Sequence, residues 1–219
     1  MLAKLRLAHQ PLPDDVPLRS IVECINVSGD LVGFLEKCGH PNLQTLSLAA
    51  CTLDAMAGDN LAKVLSLPSL TSVTLAHIKG VSIDQILLCV TDKCTFLDLS
   101  GTPVNTLKVV CDRLPTLTTL NLSYWPEVPL SNVPLPLCDL CLDGCGQLLD
   151  IPALKRCTML SSLGLDGVRL SSEERRALVN AFGILPNLKR VRLNLGRRLP
   201  QERALWPDDM DMLPGVNFY

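Results

Sequence analysis

The residues best suited by type and spacing to metal chemistry are the thiols of Cys138-x-x-Cys141-x-x-x-Cys145, with Cys157 a little further on. Such spacing can hold zinc, provided that four ligands converge tetrahedrally on one point. Histidine is scarce: His9, His40 and His77 are far apart in sequence, and no Ser or Cys nucleophile stands beside a base in a recognisable pattern. Neither a Walker-type nor a dinucleotide-type glycine loop occurs, so phosphate-cradling chemistry has no seat. A second set of residues is suited to recognition. Phe96, Tyr124 and Trp125 are three of only eight aromatics, and Asp98, Asp139, Asp143 and Asp166 accompany them. Further on, Lys189, Arg190, Arg192, Arg197, Arg198 and Arg203 form a basic run with Glu202 as its one acid. No aromatics interleave with that run, as stacking on nucleic acid would need, so a solvated face is expected there. Asn121-Leu122-Ser123 and Asn26-Val27-Ser28 match the glycosylation acceptor, but both fall where strands are expected and are read as unmodified.

Whether any of these groups meet depends on the elements that carry them. The chain has 219 residues, 47% apolar and 19% charged, with a net charge of −2 and a pI of about 5.9. Low polarity with almost no net charge is the opposite of the disorder signature, and no global field attracts nucleic acid or acidic lipid. No apolar run reaches the 18 or more residues of a spanning helix. Met1 to Val16 lacks an uninterrupted apolar stretch and a cleavage pattern, so a secretory signal is not expected, and a mitochondrial presequence ranks second to the ladder reading given below. The ten cysteines are therefore assigned to a reducing compartment, intracellular and in first place cytoplasmic.

Leucine accounts for 45 residues, and it recurs with a period. The spelling L-x-x-L-x-L fits Leu43/Leu46/Leu48, Leu70/Val73/Leu75, Cys94/Leu97/Leu99, Leu117/Leu120/Leu122, Leu137/Leu140/Leu142, Leu160/Leu163/Leu165 and Leu188/Val191/Leu193, at spacings of 27, 24, 23, 20, 23 and 28. Leu2, Leu5, Leu7 and Leu12 fit an earlier copy, and Val22, Ile25 and Val27 a degenerate one, for about nine in all. On these residues the chain resembles the leucine-rich repeat superfamily over roughly residues 2–195. Cys51 and Cys145 at the ninth position, within A-A-C-T-L and D-G-C-G-Q-L, are similar to the cysteine-containing repeats of F-box leucine-rich proteins, while the longer repeats resemble the ribonuclease-inhibitor type. No F-box segment stands ahead of them, so a ubiquitin-ligase role is not carried over with the repeats.

The resemblance implies an α/β leucine-rich repeat solenoid, with a parallel sheet on the concave side and helices and turns on the convex side. The physics agrees, because residues at positions 1, 4 and 6 of a short strand bury an apolar ladder that one repeat alone could not cover. Leu67-Pro68-Ser69-Leu70, Leu114-Pro115-Thr116-Leu117 and Leu185-Pro186-Asn187-Leu188 put proline where the convex segment must end. Ser82-x-x-Gln85 and Ser171-x-x-Glu174 spell capping boxes, and a third helix is expected over Asp54 to Leu65. The 20-residue repeat from Leu117, rich in proline, leaves room for a turn only. Residues 1–195 are read as the array and residues 196–219 as a C-terminal cap in which Trp206, Leu213 and Phe218 cover the last ladder edge. The ladder begins at Leu2 without a polar cap, so a longer array or a partner is expected at that end.

In this frame Cys138, Cys141 and Cys145 occupy positions 2, 5 and 9 and point different ways, so no metal and no cofactor are expected. The candidate partner-binding residues on the concave face are Phe96, Asp98, Asn121, Tyr124, Trp125, Asp139, Asp143, Asp166, Arg190 and Arg192, aromatics flanked by charge as at interface hot spots. The reading is a non-enzymatic scaffold for a protein partner, with no membrane, nucleic-acid or small-molecule substrate expected. A structural subunit of a large assembly ranks second, and the substrate-recognition part of a ubiquitin ligase third.

Overall fold

A computed structural model describes residues 4–8, 21–25, 31–38, 41–193 and 216–218. The chain divides into two units, Met1–Leu117 and Thr118–Tyr219. The first contains strands β1 (Lys4–Ala8), β2 (Ile21–Ile25), β3 (Thr45–Ala49), β4 (Ser72–Ala76) and β5 (Phe96–Asp98), all parallel in that order. Helices α1 (Leu31–Cys38), α2 (Ala55–Leu65), α3 (Asp84–Leu87) and α4 (Leu107–Asp112) fill the crossovers, with α2 packed between α1 and α3.

In the second unit β6 (Thr119–Asn121), β7 (Glu127–Pro129), β8 (Asp139–Cys141), β9 (Gln147–Leu149), β10 (Ser162–Gly164), α5 (Ser172–Phe182), β11 (Arg190–Arg192) and β12 (Asn217–Phe218) follow one another. Strands β6, β8, β10, β11 and β12 form the parallel sheet, while β7 and β9 pair separately. Short 3-10 turns, Leu130–Asn132 and Ile151–Arg156, replace helices behind β6 and β8. The 20-residue repeat thus holds more than a turn: its extra strand satisfies backbone groups that no helix is long enough to take.

Register puts the ladder where the periodicity places it. Leu46 pairs with Val73 and Val73 with Leu97 in the first unit; Leu120, Leu140, Leu163 and Val191 follow one another in the second. The first, fourth and sixth positions of these seven repeats are all buried, from Leu43 to Leu193. Each such leucine removes apolar surface worth about 1.5–3 kcal/mol, which holds the stack together. One register differs from expectation. Val22 pairs with Leu5 and Leu46, and Cys24 with Leu7 and Leu48, so the second repeat places Val22 and Cys24 on the ladder rows rather than Ile25 and Val27. Arg19 three residues before Val22 breaks the leucine spelling there and hides the frame.

The Leu-Pro-x-Leu segments form hydrogen-bonded turns, with the N–H of Leu70, Leu117 and Leu188 donating to the C=O of Leu67, Leu114 and Leu185 at 3.1, 3.1 and 3.4 Å. Proline stands at the second residue of each, where its fixed φ is already that of a β-turn. Helix α2 starts on Asp54, whose carboxylate accepts from Ala57 N–H at 2.8 Å, and α5 starts on a complete Ser171/Glu174 capping box. The box expected at Ser82 does not form. Ser82 Oγ donates instead to Asp84 Oδ2 at 2.9 Å, because Asp84 reaches into the next repeat, where its Oδ1 accepts from Asn105 N–H, Thr106 N–H and the Thr106 hydroxyl at 2.7–2.9 Å. Burial works to raise the Asp84 pKa, but these hydrogen bonds from Thr106, Ser82 and Asn105 prevail and hold it below the ordinary value. Residues 196–215 of the expected cap lie outside the described residues. Asn217 and Phe218 pair in parallel with Arg190 and Val191, extending the sheet by a strand.

Candidate functional site

Phe96 and Asp98 belong to the first unit; the other eight candidate residues belong to the second. The strand at position 5 is followed by a tight turn that needs an acceptor. Asp98 Oδ1 takes the N–H of Ser100 at 2.8 Å, and Asn121 Oδ1 takes the N–H and hydroxyl of Ser123 at 3.0 and 2.6 Å. These two side chains close the turn through short Asx-type bonds. Phe96 is half-buried.

Trp125 is not on the surface. At 2% exposure it is a core residue, and this corrects the candidate set. The ninth position points inward, as at Cys51, Cys145 and Val168, which are equally buried. An indole there fills volume that the short repeat would otherwise leave empty.

Tyr124, one residue earlier, is 62% exposed and has φ of 64°. The eighth position is left-handed in each of the six repeats from Ala50 to Gly167 in which it is described, with φ of 54° at Ala50, 51° at His77, 61° at Gly101, 67° at Gly144 and 71° at Gly167. A bulky side chain in that region is strained, and glycine is its natural occupant. A second rule runs along the row. A Cβ on Gly144 would come within 2.7 and 2.8 Å of the Tyr124 ring, and one on Gly101 would overlap the His77 ring. Each large ring at this position therefore lies over the glycine of the following repeat. The backbone pins the row as well, since Tyr124 N–H donates to Asp143 O at 2.9 Å and Gly144 N–H to Asp166 O at 2.6 Å.

On the open face, two arginines of β11 reach over β10 to β8. Arg190 meets Asp139 at 3.6 Å, and Arg192 is ion-paired with Asp143 and donates to Cys141 Sγ at 3.2 Å. Parallel strands lie about 4.8 Å apart, so each arm crosses roughly two strand spacings, which is feasible only over small residues. Ser162 and Gly164 are those residues, opposite Arg190 and Arg192 in register. A Cβ on Gly164 would stand 2.8 Å from Asp143 Oδ1, 2.9 Å from Arg192 and 3.1 Å from Cys141 Sγ. Asp143 also accepts the N–H of Asp166 at 2.8 Å and the thiol of Cys141 at 3.2 Å, and Ser123 Oγ lies 3.1 Å from the same sulfur. Burial, reinforced by the Asp143 charge, raises the Cys141 pKa although the Ser123 hydrogen bond opposes it. Cys141 is therefore half-buried and enclosed by polar groups rather than an open surface thiol.

The other thiols of the zinc-like spacing make separate bonds. Cys138 donates to Pro136 O at 3.8 Å, and Cys145 to Leu122 O at 3.1 Å, with its pKa pushed up to about 11 by burial. Cys94 and Cys111 are pushed to about 12 by the same cause. His77 is exposed in the first unit, while His9 and His40 lie outside the described residues, as do Arg197, Arg198 and Arg203 of the basic run. A cavity of about 490 Å³ in the first unit, lined by Cys89, Lys93 and Arg113 among others, was not legible in the sequence. Gly144, Gly164 and Ser123 were equally missed, although a glycine one repeat after an aromatic at position 8 is a readable signal.

Among the described residues no helix is long and apolar enough to cross a membrane. No family model matches the chain, and no curated protein does. Among solved structures, an internalin from Listeria monocytogenes is similar over 91% of this chain at 15% identity and a TM-score of 0.54, and the chain covers 66% of that structure's length. At that identity the likeness concerns the backbone alone. Together with the register of the buried leucine rows, it establishes the fold of this chain as an α/β leucine-rich repeat solenoid.

Proposed function

We propose that the chain is a protein-binding scaffold whose contact surface in the second unit runs from Tyr124 across Asp143 and Asp166 to Arg190 and Arg192. The observation that carries this reading is Tyr124. It holds a left-handed backbone conformation costing on the order of 1–2 kcal/mol for an L residue, while its ring stays 62% exposed instead of joining the core. Glycine takes this conformation without strain, as at Gly144 and Gly167, whereas Tyr124 rests its ring on Gly144 and still leaves most of its area open to a contact outside the chain. Tyrosine is a common interface anchor because it buries a large area at little rotamer cost. The fixed repeat backbone lowers the ordering cost of binding.

The test is affinity for a partner recovered by proximity labelling, measured by calorimetry with the wild-type chain and with Tyr124→Ala. A hot-spot tyrosine should cost about 2 kcal/mol, close to a thirtyfold loss. Unchanged affinity, with the melting temperature preserved, would place the contact elsewhere on the molecule.

A further inference from the structure

The charges on this face of the second unit are unevenly matched. Asp139 faces Arg190, and Asp143 is paired with Arg192. Asp166 has no cation within ion-pair distance among the described residues, and its Oδ1 is cut off from water without a hydrogen-bond donor. A carboxylate oxygen in that state is costly, and a rotation of the side chain that turns it outward to a ligand's donor recovers the loss. Asp166 adjoins the tyrosine: its carbonyl takes the N–H of Gly144, the residue over which the Tyr124 ring lies, and its own N–H is held by Asp143. An exposed aromatic face beside an uncompensated carboxylate suits a cation, which gains from the ring quadrupole and from the negative charge together. A carboxylate or phosphate brought to the same place would meet Asp166 and Asp143 as like charges.

Resting on the scaffold reading above, we infer that the segment docking here is basic, with a Lys or Arg side chain laid across Tyr124 and its charged end directed to the Asp166 carboxylate. Asp143 is committed to Arg192, to Cys141 and to the Asp166 backbone, so it supplies background potential and fixes Asp166 in place. The Arg192 guanidinium, held at Asp143, lies alongside this path, and with Arg190 at Asp139 it limits how far a basic segment can extend along the face.

The experiment places a photo-crosslinker in the full chain by Tyr124→p-benzoylphenylalanine, irradiates it in cells and sequences the captured segment by mass spectrometry. A synthetic peptide of that segment is then titrated against the wild-type chain, Asp166→Asn and, as a control on exposed helix surface, Asp59→Asn. The inference expects a captured segment carrying Lys or Arg at the crosslink, an affinity reduced at least fivefold by Asp166→Asn and unaltered by Asp59→Asn, and a reduced loss at high salt. A neutral or acidic segment, or a basic one indifferent to Asp166→Asn, would overturn the inference while leaving the scaffold reading standing. Capture of no protein at this position would overturn both.

Discussion

Gly144→Ala tests the row of left-handed residues, because two separate costs can be assigned to it and then told apart. The first is conformational. Alanine at φ of 67° loses on the order of 1 kcal/mol against glycine, somewhat reduced because glycine also has more freedom in the unfolded chain. The second is steric. A new Cβ would stand 2.7 and 2.8 Å from two ring atoms of Tyr124, about 1 Å closer than normal contact. Overpacking of this kind costs about 1–3 kcal/mol, and the exposed ring can swing aside, so the low end applies. Gly144→Ala should thus destabilise the chain by roughly 2 kcal/mol. In a Tyr124→Ala background the steric part disappears and roughly 1 kcal/mol should remain, giving a coupling energy of about 1 kcal/mol between the two positions. Urea unfolding of the four proteins, monitored by circular dichroism, measures that coupling. Additive effects within about 0.3 kcal/mol would mean that the ring does not lie on Gly144, and the geometry assigned to the site would fail.

Three further outcomes are expected. Asp84→Ala removes the acceptor that ties two repeats together and should cost about 1–2 kcal/mol at neutral pH; because the Asp84 pKa is depressed in the folded chain, its contribution is present above the ordinary value of 3.8 and is lost as pH falls through the folded value, so the difference in melting temperature from wild type should shrink on acidification below about pH 4. Brief alkylation at neutral pH with mass mapping should modify exposed Cys89 first and half-buried Cys141 more slowly, and should spare Cys94, Cys111 and Cys145, whose pKa values are raised to about 11–12; rapid labelling of Cys145 would contradict its inward placement. Trp125→Ala should cost about 3–5 kcal/mol in a denaturant titration, as removal of a buried indole does, whereas a change under 1 kcal/mol would return Trp125 to the surface.

The cysteine and aromatic assignments show where reading by periodicity stops. Trp125 and Tyr124 are adjacent, and both count as large residues at the end of a repeat, yet one is core and the other exposed. The eighth and ninth positions differ by the left-handed turn between them, and a residue's tolerance of that conformation does not show in its hydrophobicity. Asp98 and Asn121 look like surface recognition groups in sequence, but their side chains bond the backbone two residues ahead. Cys141 looks open at position 5, but groups from three other strands or turns enclose it.

By itself the sequence determined the fold class, the inward rows of leucine, the presence of α2 and the capping of α5, because each depends on spacing within a single repeat. Only the tertiary structure decided which side chains meet across repeats: Arg192 over Gly164 to Asp143, Tyr124 over Gly144, Asp84 under Thr106. Those meetings join residues about one or two repeats apart, and they turn on whether the intervening position is a glycine, a serine or something larger. No single period records that choice, since it is made by the space between stacked strands.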